Sequence, residues 1–143
     1  MDDFSRMGAN VNAFTSYNET CYYFTTSHGD LKEPLNLLID FVQDLRITEE
    51  SVEKEKGIIN QELKMYLQRP DSRLIFETFK ALYHKHPLNR DIGGDEKSVN
   101  ATTRQLLEDC YKLNYHPSRM TLIVAGPQKP QTLLEWFEEN KKE

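Results

Sequence analysis

Two glutamates seven residues apart, Glu55 and Glu62, have the type and spacing that could support chemistry. They lie in the predicted helix 51–67, where about 100° of rotation per residue puts them within about 20° of each other. Ile58 and Ile59 fall on the same side. Because burying an unpaired carboxylate is costly, two acids beside an apolar stripe need cations, hydrogen-bond donors or a metal ion. Periodicity alone allows a metal-ligating pair or a charged helix whose acids pair with lysines or arginines, and it favours the second.

The other reactive side chains give weaker signals. His84 and His86 form an H-x-H pair that could bind a metal, but a loop pair with no third ligand in the sequence is more often exposed or packed. Thr15, Ser16 and Cys21 have no G-x-S-x-G or comparable nucleophile context, so covalent catalysis is unsupported.

The elements that would position these residues start with a predicted β-hairpin. Residues 10–17 alternate along the chain, and residues 20–26 are rich in aromatic and β-branched types. Only Asn18 and Glu19 separate the two runs, so they should pair as antiparallel strands. A third strand is predicted at 120–125, where the apolar run MTLIVA is typical of a central strand.

Helices are predicted where apolar residues recur at steps of three and four, or where capping residues precede such a run. Their ranges are 31–45, 48–68, 72–83, 102–115 and 131–142, with caps at Asp30, Thr48 and Thr102. The sequence therefore predicts an α+β fold, an antiparallel sheet with helices packed on one face. The aperiodic stretch of about 84–100 predicts a surface loop between two lobes of one domain that covers residues 1–143.

Composition excludes several classes of partner. Lys and Arg number 18 against 23 Asp and Glu, for a formal net charge of −5, and no basic block would attract nucleic acid. No apolar run approaches the ~18 residues of a membrane span, and the first residues lack the cationic and apolar parts of a signal peptide. The two cysteines form neither a metal pair nor a disulfide framework, so a cytoplasmic location is predicted.

An ordered series of motifs resembles the pitrilysin/insulinase family of zinc metallopeptidases, the inverzincins. The series consists of GANVNAFTS at 8–16, TCYYF at 20–24, a predicted amphipathic helix and VEKEKGIINQE at 52–62. The resemblance continues through Pro70, the His86–Pro87 loop, Gly93–Gly94 and the segment from Tyr115 to Gly126. It spans most of the chain, and its order makes it specific.

The resemblance implies roles for particular residues. Glu62 matches the glutamate that is the third zinc ligand on a later helix of the family, and Glu55 matches a carboxylate that orients a ligand or adjusts the charge of the site. The strand residues Asn12, Ala13, Phe14 and Thr15 match the strand that pairs with extended substrate. In the family, an inverted H-x-x-E-H helix supplies the two other ligands and a general base for hydrolysis by a zinc-activated water.

That motif is absent here, since none of the four histidines, His28, His84, His86 and His116, belongs to an H-x-x-E-H. We therefore expect a fragment of a zinc endopeptidase, inactive and binding zinc poorly by itself. Its expected partners are a peptide or protein substrate and the remainder of the parent chain or a homologous partner subunit. Two alternatives are a non-catalytic, peptidase-like subunit that binds peptides or supports an active partner, and an unrelated interaction domain whose acids are surface charges.

Overall fold

The computed structural model describes residues 2–27 and 29–141. Two strands and seven α-helices follow one another along this part of the chain: α1 Asp2–Arg6, β1 Ala9–Thr15, β2 Thr20–Thr26, α2 Lys32–Gln43, α3 Glu49–Gln68, α4 Pro70–Leu82, α5 Glu96–Ala101, α6 Arg104–Asn114 and α7 Pro130–Asn140. Short 3₁₀ turns occupy Pro87–Asn89 and Pro117–Arg119. The predicted α+β class is therefore confirmed.

The chain divides into two compact units, which are described separately. Unit 1 contains residues 1–15, 19–46 and 111–143, and unit 2 contains residues 16–18 and 47–110. The stretch 84–100 lies within unit 2, so these boundaries differ from the division predicted at that loop. The assignment of residues 1–143 to one domain stays a prediction.

The sheet of unit 1 is the predicted hairpin. β1 and β2 pair antiparallel in a register that runs from Ala9 opposite Thr26 to Thr15 opposite Thr20. One face of the hairpin packs on a helical core, where Ala9 contacts the buried side chains of Phe4 and Leu38. Helices thus cover one face of the sheet, as the alternation of β1 predicted.

Helix α2 is the most deeply buried element of unit 1, with Leu35, Leu38 and Ile39 inside. Its start differs from the predicted capping box. Asp30 Oδ1 accepts a hydrogen bond from the backbone N–H of Lys32 at 3.1 Å, and the N-cap position falls at Leu31, which has no side-chain acceptor. The carboxylate therefore closes a turn before the helix instead of capping its first turn.

Helix α3 is the longest helix of unit 2, and Thr48 is its N-cap, as predicted. The backbone N–H of Ser51 donates to Thr48 Oγ1 at 3.1 Å, and the backbone N–H of Thr48 donates to Ser51 Oγ at 3.0 Å. This reciprocal cap satisfies two donors that a helix start otherwise leaves without partners. Pro70 then ends the α3 region and occupies the first turn of α4, where its missing N–H costs nothing.

Two sequence predictions are wrong at the level of elements. Residues 120–125 are not a strand, because an extended apolar run needs a neighbouring ladder, and the sheet in the described residues contains β1 and β2 only. Ile123 in this run is 85% exposed. The stretch 84–100 is not wholly a loop either, since Asp95 and Ser98 cap each other and begin α5.

Candidate functional site

The two predicted acids lie on the long helix of unit 2. Glu55 and Glu62 are both exposed on α3, two turns apart on one face. The same side of the helix carries Ile58, which is 40% exposed, and Tyr66, which is 50% exposed. Val52, about 60° around the helix from Glu55, is buried and anchors α3 to the unit. The acids therefore stand on a surface that is half apolar and uncovered in this chain.

Neither acid has a partner among the residues that the structure describes. Their carboxylates take part in none of the ion pairs or side-chain hydrogen bonds found there, whereas Glu53 on the same helix accepts an ion pair from Lys56 Nζ at 2.6 Å. The interpretation of α3 as a helix whose acids pair with cations therefore applies to Glu53 and does not apply to Glu55 or Glu62. Exposure by itself is also what an ordinary surface acid shows, so the apolar neighbours of the two acids are the informative feature.

The predicted substrate strand is the first strand of the hairpin in unit 1. Asn12, Ala13, Phe14 and Thr15 are all exposed on β1. Phe14 is 49% exposed, and its ring meets the ring of Tyr23 edge to face at 6.3 Å on the face of the sheet opposite the core. Within the described chain β1 has β2 on one side and no strand on the other. Backbone groups of β1 therefore point to an open edge.

One contact at this edge has no signal in the sequence. The side-chain Oδ1 of Asn12 accepts a hydrogen bond from the backbone N–H of Ala13 at 2.8 Å. Asparagine is depleted in strands because its side chain competes for backbone groups in this way. Alternation placed Asn12 and Ala13 on opposite faces of the strand. It could not show that the Asn12 side chain accepts a hydrogen bond from the Ala13 backbone N–H.

The two histidines of the H-x-H pair have local roles. His86 Nδ1 accepts a hydrogen bond from the backbone N–H of Leu88 at 3.2 Å, at the head of the 3₁₀ turn that starts with Pro87. The backbone carbonyl of His84 accepts from the Asn89 side chain at 3.0 Å. Both histidines are exposed, and the ring nitrogen of His86 already caps a turn, which matches the interpretation of this pair as exposed or packed loop residues.

The family resemblance implies zinc, which proteins bind through His, Cys, Asp or Glu side chains. Across residues 2–27 and 29–141, no group of three or more His, Cys, Asp or Glu side chains is arranged to hold a metal ion. Catalytic zinc takes three protein ligands, so these residues do not make a complete zinc site. The exposed, unpaired carboxylate of Glu62 fits a single donor of a site with further ligands.

The family of the chain follows from its sequence as a whole. Residues 1–96 match the model described as Insulinase (Peptidase family M16), and residues 101–142 match the model described as Peptidase M16 inactive domain. The chain therefore belongs to the insulinase family of peptidases, family M16. The predicted resemblance is confirmed.

Individual relatives show the same relationship. The uncharacterized zinc protease YmfH of Bacillus subtilis (strain 168) is 45% identical over 139 residues, which are 97% of this chain and 32% of that protein. The mitochondrial-processing peptidase subunit beta of Neurospora crassa is 29% identical over 134 residues, 93% of this chain and 28% of that protein. The crystal structure of an M16-like peptidase from Alicyclobacillus acidocaldarius superposes with a TM-score of 0.92 at 43% identity, covering 98% of this chain and 34% of the other.

The similarity covers only part of each relative. The chain spans about a third of the length of the relatives and solved structures that it matches. In the part of the chain that the structure describes, no helix is long and apolar enough to cross a membrane.

Proposed function

We propose that this chain is part of a zinc-dependent endopeptidase of the M16 family, in which Glu62 supplies one zinc ligand and the edge of β1 holds substrate in an extended form. The observation that carries the proposal is the face of α3 on which Glu55 and Glu62 stand exposed and unpaired beside the exposed apolar side chains of Ile58 and Tyr66. Such a face is suited to being covered by further residues that supply positive charge.

The charges on α3 support this assignment. A surface acid usually lies near a cation on its own helix, as Glu53 does with Lys56 three residues later. The residues three and four positions after Glu55 are Ile58 and Ile59, and those after Glu62 are Met65 and Tyr66. Because the helix offers neither acid a cation on this side, we propose that their counter-charge is a zinc ion, with the histidine ligands and the general base contributed by residues outside this chain.

The role of Glu55 is one of positioning. Two turns from Glu62 on the same face, its carboxylate is placed to hold another ligand in orientation or to adjust the charge of the site. Neither role requires direct contact with the metal.

The substrate part of the proposal depends on the hairpin. An open strand edge binds extended peptides through backbone hydrogen bonds, which tolerate many side chains and so suit an enzyme acting on varied sequences. Residues 12–15 of β1 have this edge and are exposed. The class of substrate is therefore an unfolded peptide or protein segment.

Zinc content and peptidase activity of the full-length protein that carries this sequence test the proposal. We expect chelator-sensitive cleavage of a denatured protein substrate. Glu55→Gln should lower zinc affinity or activity by about 10- to 100-fold, as for residues that orient metal ligands, and Glu62→Gln should lower them further. The matched control is Glu50→Gln, an exposed acid in the first turn of α3, which should leave both unchanged. Full zinc occupancy and activity in Glu62→Gln would remove Glu62 from the site.

A second candidate is a non-catalytic subunit of the same family that binds peptides or supports an active partner. The match of residues 101–142 to the model described as Peptidase M16 inactive domain supports it, and the similarity to a protein named as a peptidase subunit supports assembly with a partner. Under this alternative, the full-length protein would bind extended peptide without chelator-sensitive cleavage. The cytoplasmic location stays a prediction under either proposal.

A further inference from the structure

Tyr66 differs from the other tyrosines of the chain in its surroundings. The sequence has seven tyrosines, and the rings of six of them contact another aromatic ring: Tyr17, Tyr22, Tyr23, Tyr83, Tyr111 and Tyr115. Among the described residues, Tyr66 has no such ring contact, and its hydroxyl makes no hydrogen bond with another protein group. The residue is also 50% exposed. An exposed phenol is ordinary on a protein surface, so the position of Tyr66 on α3 is the informative feature.

Tyr66 lies one helical turn after Glu62. Four steps of about 100° bring the two side chains within about 40° of each other around the helix axis. Side chains on an α-helix lean toward its N terminus, and residues four apart are neighbours, with Cβ atoms about 5–6 Å from each other. The ring of Tyr66 therefore extends over the turn of α3 that carries Glu62.

Tyr66 is also the neighbour of Glu62 on this helix that can donate a hydrogen bond to its carboxylate. A helical residue meets the side chains three and four positions before and after it, which for Glu62 are Ile58, Ile59, Met65 and Tyr66. Of these four, only the tyrosine has a side-chain donor. A carboxylate that ligates a metal is itself held by a hydrogen bond from a neighbouring group, and loss of such a group typically lowers metal affinity or activity about 10- to 100-fold.

We propose that Tyr66 is the positioning residue of Glu62, its hydroxyl donating a hydrogen bond to the Glu62 carboxylate when that carboxylate serves as a zinc ligand. This inference rests on the proposed function of Glu62 and adds a residue to the same site. The two side chains make no hydrogen bond with each other in the structure. Both are exposed, so rotation about side-chain bonds brings the hydroxyl to the carboxylate without movement of the helix.

A neutral donor suits a metal-ligating acid better than a cation does. On the same helix, the ammonium group of Lys56 pairs with Glu53 at 2.6 Å, and a pair of this kind neutralises the acid. A lysine beside Glu62 would compete with a metal ion for the carboxylate and would repel that ion. A phenol hydroxyl orients a carboxylate by hydrogen bonding and adds no charge. The residues three and four positions from Glu62 meet this requirement, since they include one neutral donor and no cation.

Zinc affinity of the full-length protein that carries this sequence tests the inference, measured by competition with a chromophoric chelator. Tyr66→Phe keeps the ring and removes only the hydroxyl, and it should raise the zinc dissociation constant about tenfold. It should leave the urea midpoint of the zinc-depleted protein unchanged, because the hydroxyl has no protein partner among the described residues. The matched control is Tyr17→Phe, at a tyrosine that is 45% exposed and whose hydroxyl likewise makes no hydrogen bond in the described chain. This variant should change neither value.

A double-mutant cycle shows whether Tyr66 acts through Glu62. Glu62→Ala removes the acceptor, so adding Tyr66→Phe to it should weaken zinc binding by less than about twofold more. Steady-state kinetics separate positioning from substrate contact. At saturating zinc, Tyr66→Phe should lower kcat for peptide cleavage and leave KM unchanged, because the hydroxyl acts on the metal ligand and not on the bound peptide.

The outcomes separate this inference from the proposed function. If Glu62→Ala loses zinc affinity but Tyr66→Phe binds zinc like wild type, Tyr66 does not position Glu62, and the assignment of Glu62 as a ligand stands. If Tyr66→Phe weakens zinc binding equally in wild type and in Glu62→Ala, Tyr66 does not act through Glu62 and the inference is wrong. If Glu62→Ala keeps the zinc affinity of wild type, the proposed ligand and its positioning residue both fail.

Discussion

Single side chains satisfy backbone donors at the start of several helical segments of the described chain. Thr48, His86 and Asp95 each accept a hydrogen bond from the first turn that follows them. Asp95 differs from the others because it carries a charge. The backbone N–H of Ser98 donates to its Oδ1 at 2.7 Å, and this bond, followed by the Ser98 side chain, holds the pKa of Asp95 below its ordinary value of 3.8.

The lowered pKa of Asp95 predicts how stability depends on pH. A carboxyl group whose pKa is lower in the folded state stabilises the fold above its ordinary value, and this contribution is lost as the pH falls through the folded pKa. We expect the stability difference between wild type and Asp95→Asn to shrink below about pH 4, since asparagine caps equally well without titrating. Urea denaturation between pH 6 and pH 2.5 measures it, with Glu135→Gln as the control at an exposed acid within α7. Parallel curves for wild type and Asp95→Asn would contradict the prediction.

The residues of the candidate site could be predicted from the sequence only in part. Helical periodicity was sufficient to place Glu55 and Glu62 on one face of α3, because a long regular helix fixes relative directions locally. Sequence spacing offers Glu53 a lysine three residues later and offers Glu62 only Met65 and Tyr66, but whether a cation from another element reaches Glu62 needed coordinates. The bond between Asn12 and Ala13 depends on the torsion angles of one side chain, which leave no pattern in the sequence.

Among the elements, local sequence patterns predicted most helices and the hairpin. They failed where the secondary structure of a segment depends on a partner that is distant in the sequence. The run 120–125 has strand composition, but the described chain supplies no neighbour for it to pair with. An observed helix start also differs from the predicted one by a residue where two neighbouring side chains could accept the same backbone N–H. Thr103 Oγ1, not the predicted Thr102, accepts the N–H of Leu106 at 3.2 Å, since Thr102 is engaged at the end of α5 and donates to the Ser98 carbonyl.

The cap of α3 gives a prediction at this scale. Thr48→Ala removes the acceptor for the Ser51 N–H and should destabilise the chain by about 1 kcal/mol. Thr78→Ala is the matched control, because the Thr78 hydroxyl bonds to the Leu74 carbonyl inside α4, where alanine has the higher helix propensity. Urea midpoints at constant m-value compare the two variants. Equal or greater destabilisation by Thr78→Ala would show that the reciprocal cap contributes little to the stability of α3.

At the scale of the molecule, the described chain leaves much apolar surface uncovered for a polypeptide of its size. Ile75 and Leu82 on α4, Leu113 on α6 and Ile123 are each more than half exposed. The relatives that it matches are about three times as long. Exposed apolar surface of this extent is typical of faces that other parts of a protein cover. The zinc site proposed on α3 belongs to such a face, so its ligands are expected from more than one part of the parent.

This division of ligands predicts that the 143-residue chain does not retain zinc by itself. One carboxylate cannot hold zinc tightly, and the described residues contain no three-ligand group. After the chain is loaded with zinc and dialysed, atomic spectrometry should find far less than one equivalent, and Glu62→Gln should not change the value. His86→Ala controls for weak binding by the H-x-H pair, whose ring nitrogen at His86 already accepts the Leu88 N–H. One equivalent of zinc in wild type that is lost in Glu62→Gln would contradict the prediction, because the ligands that complete the site would then have to lie within this chain.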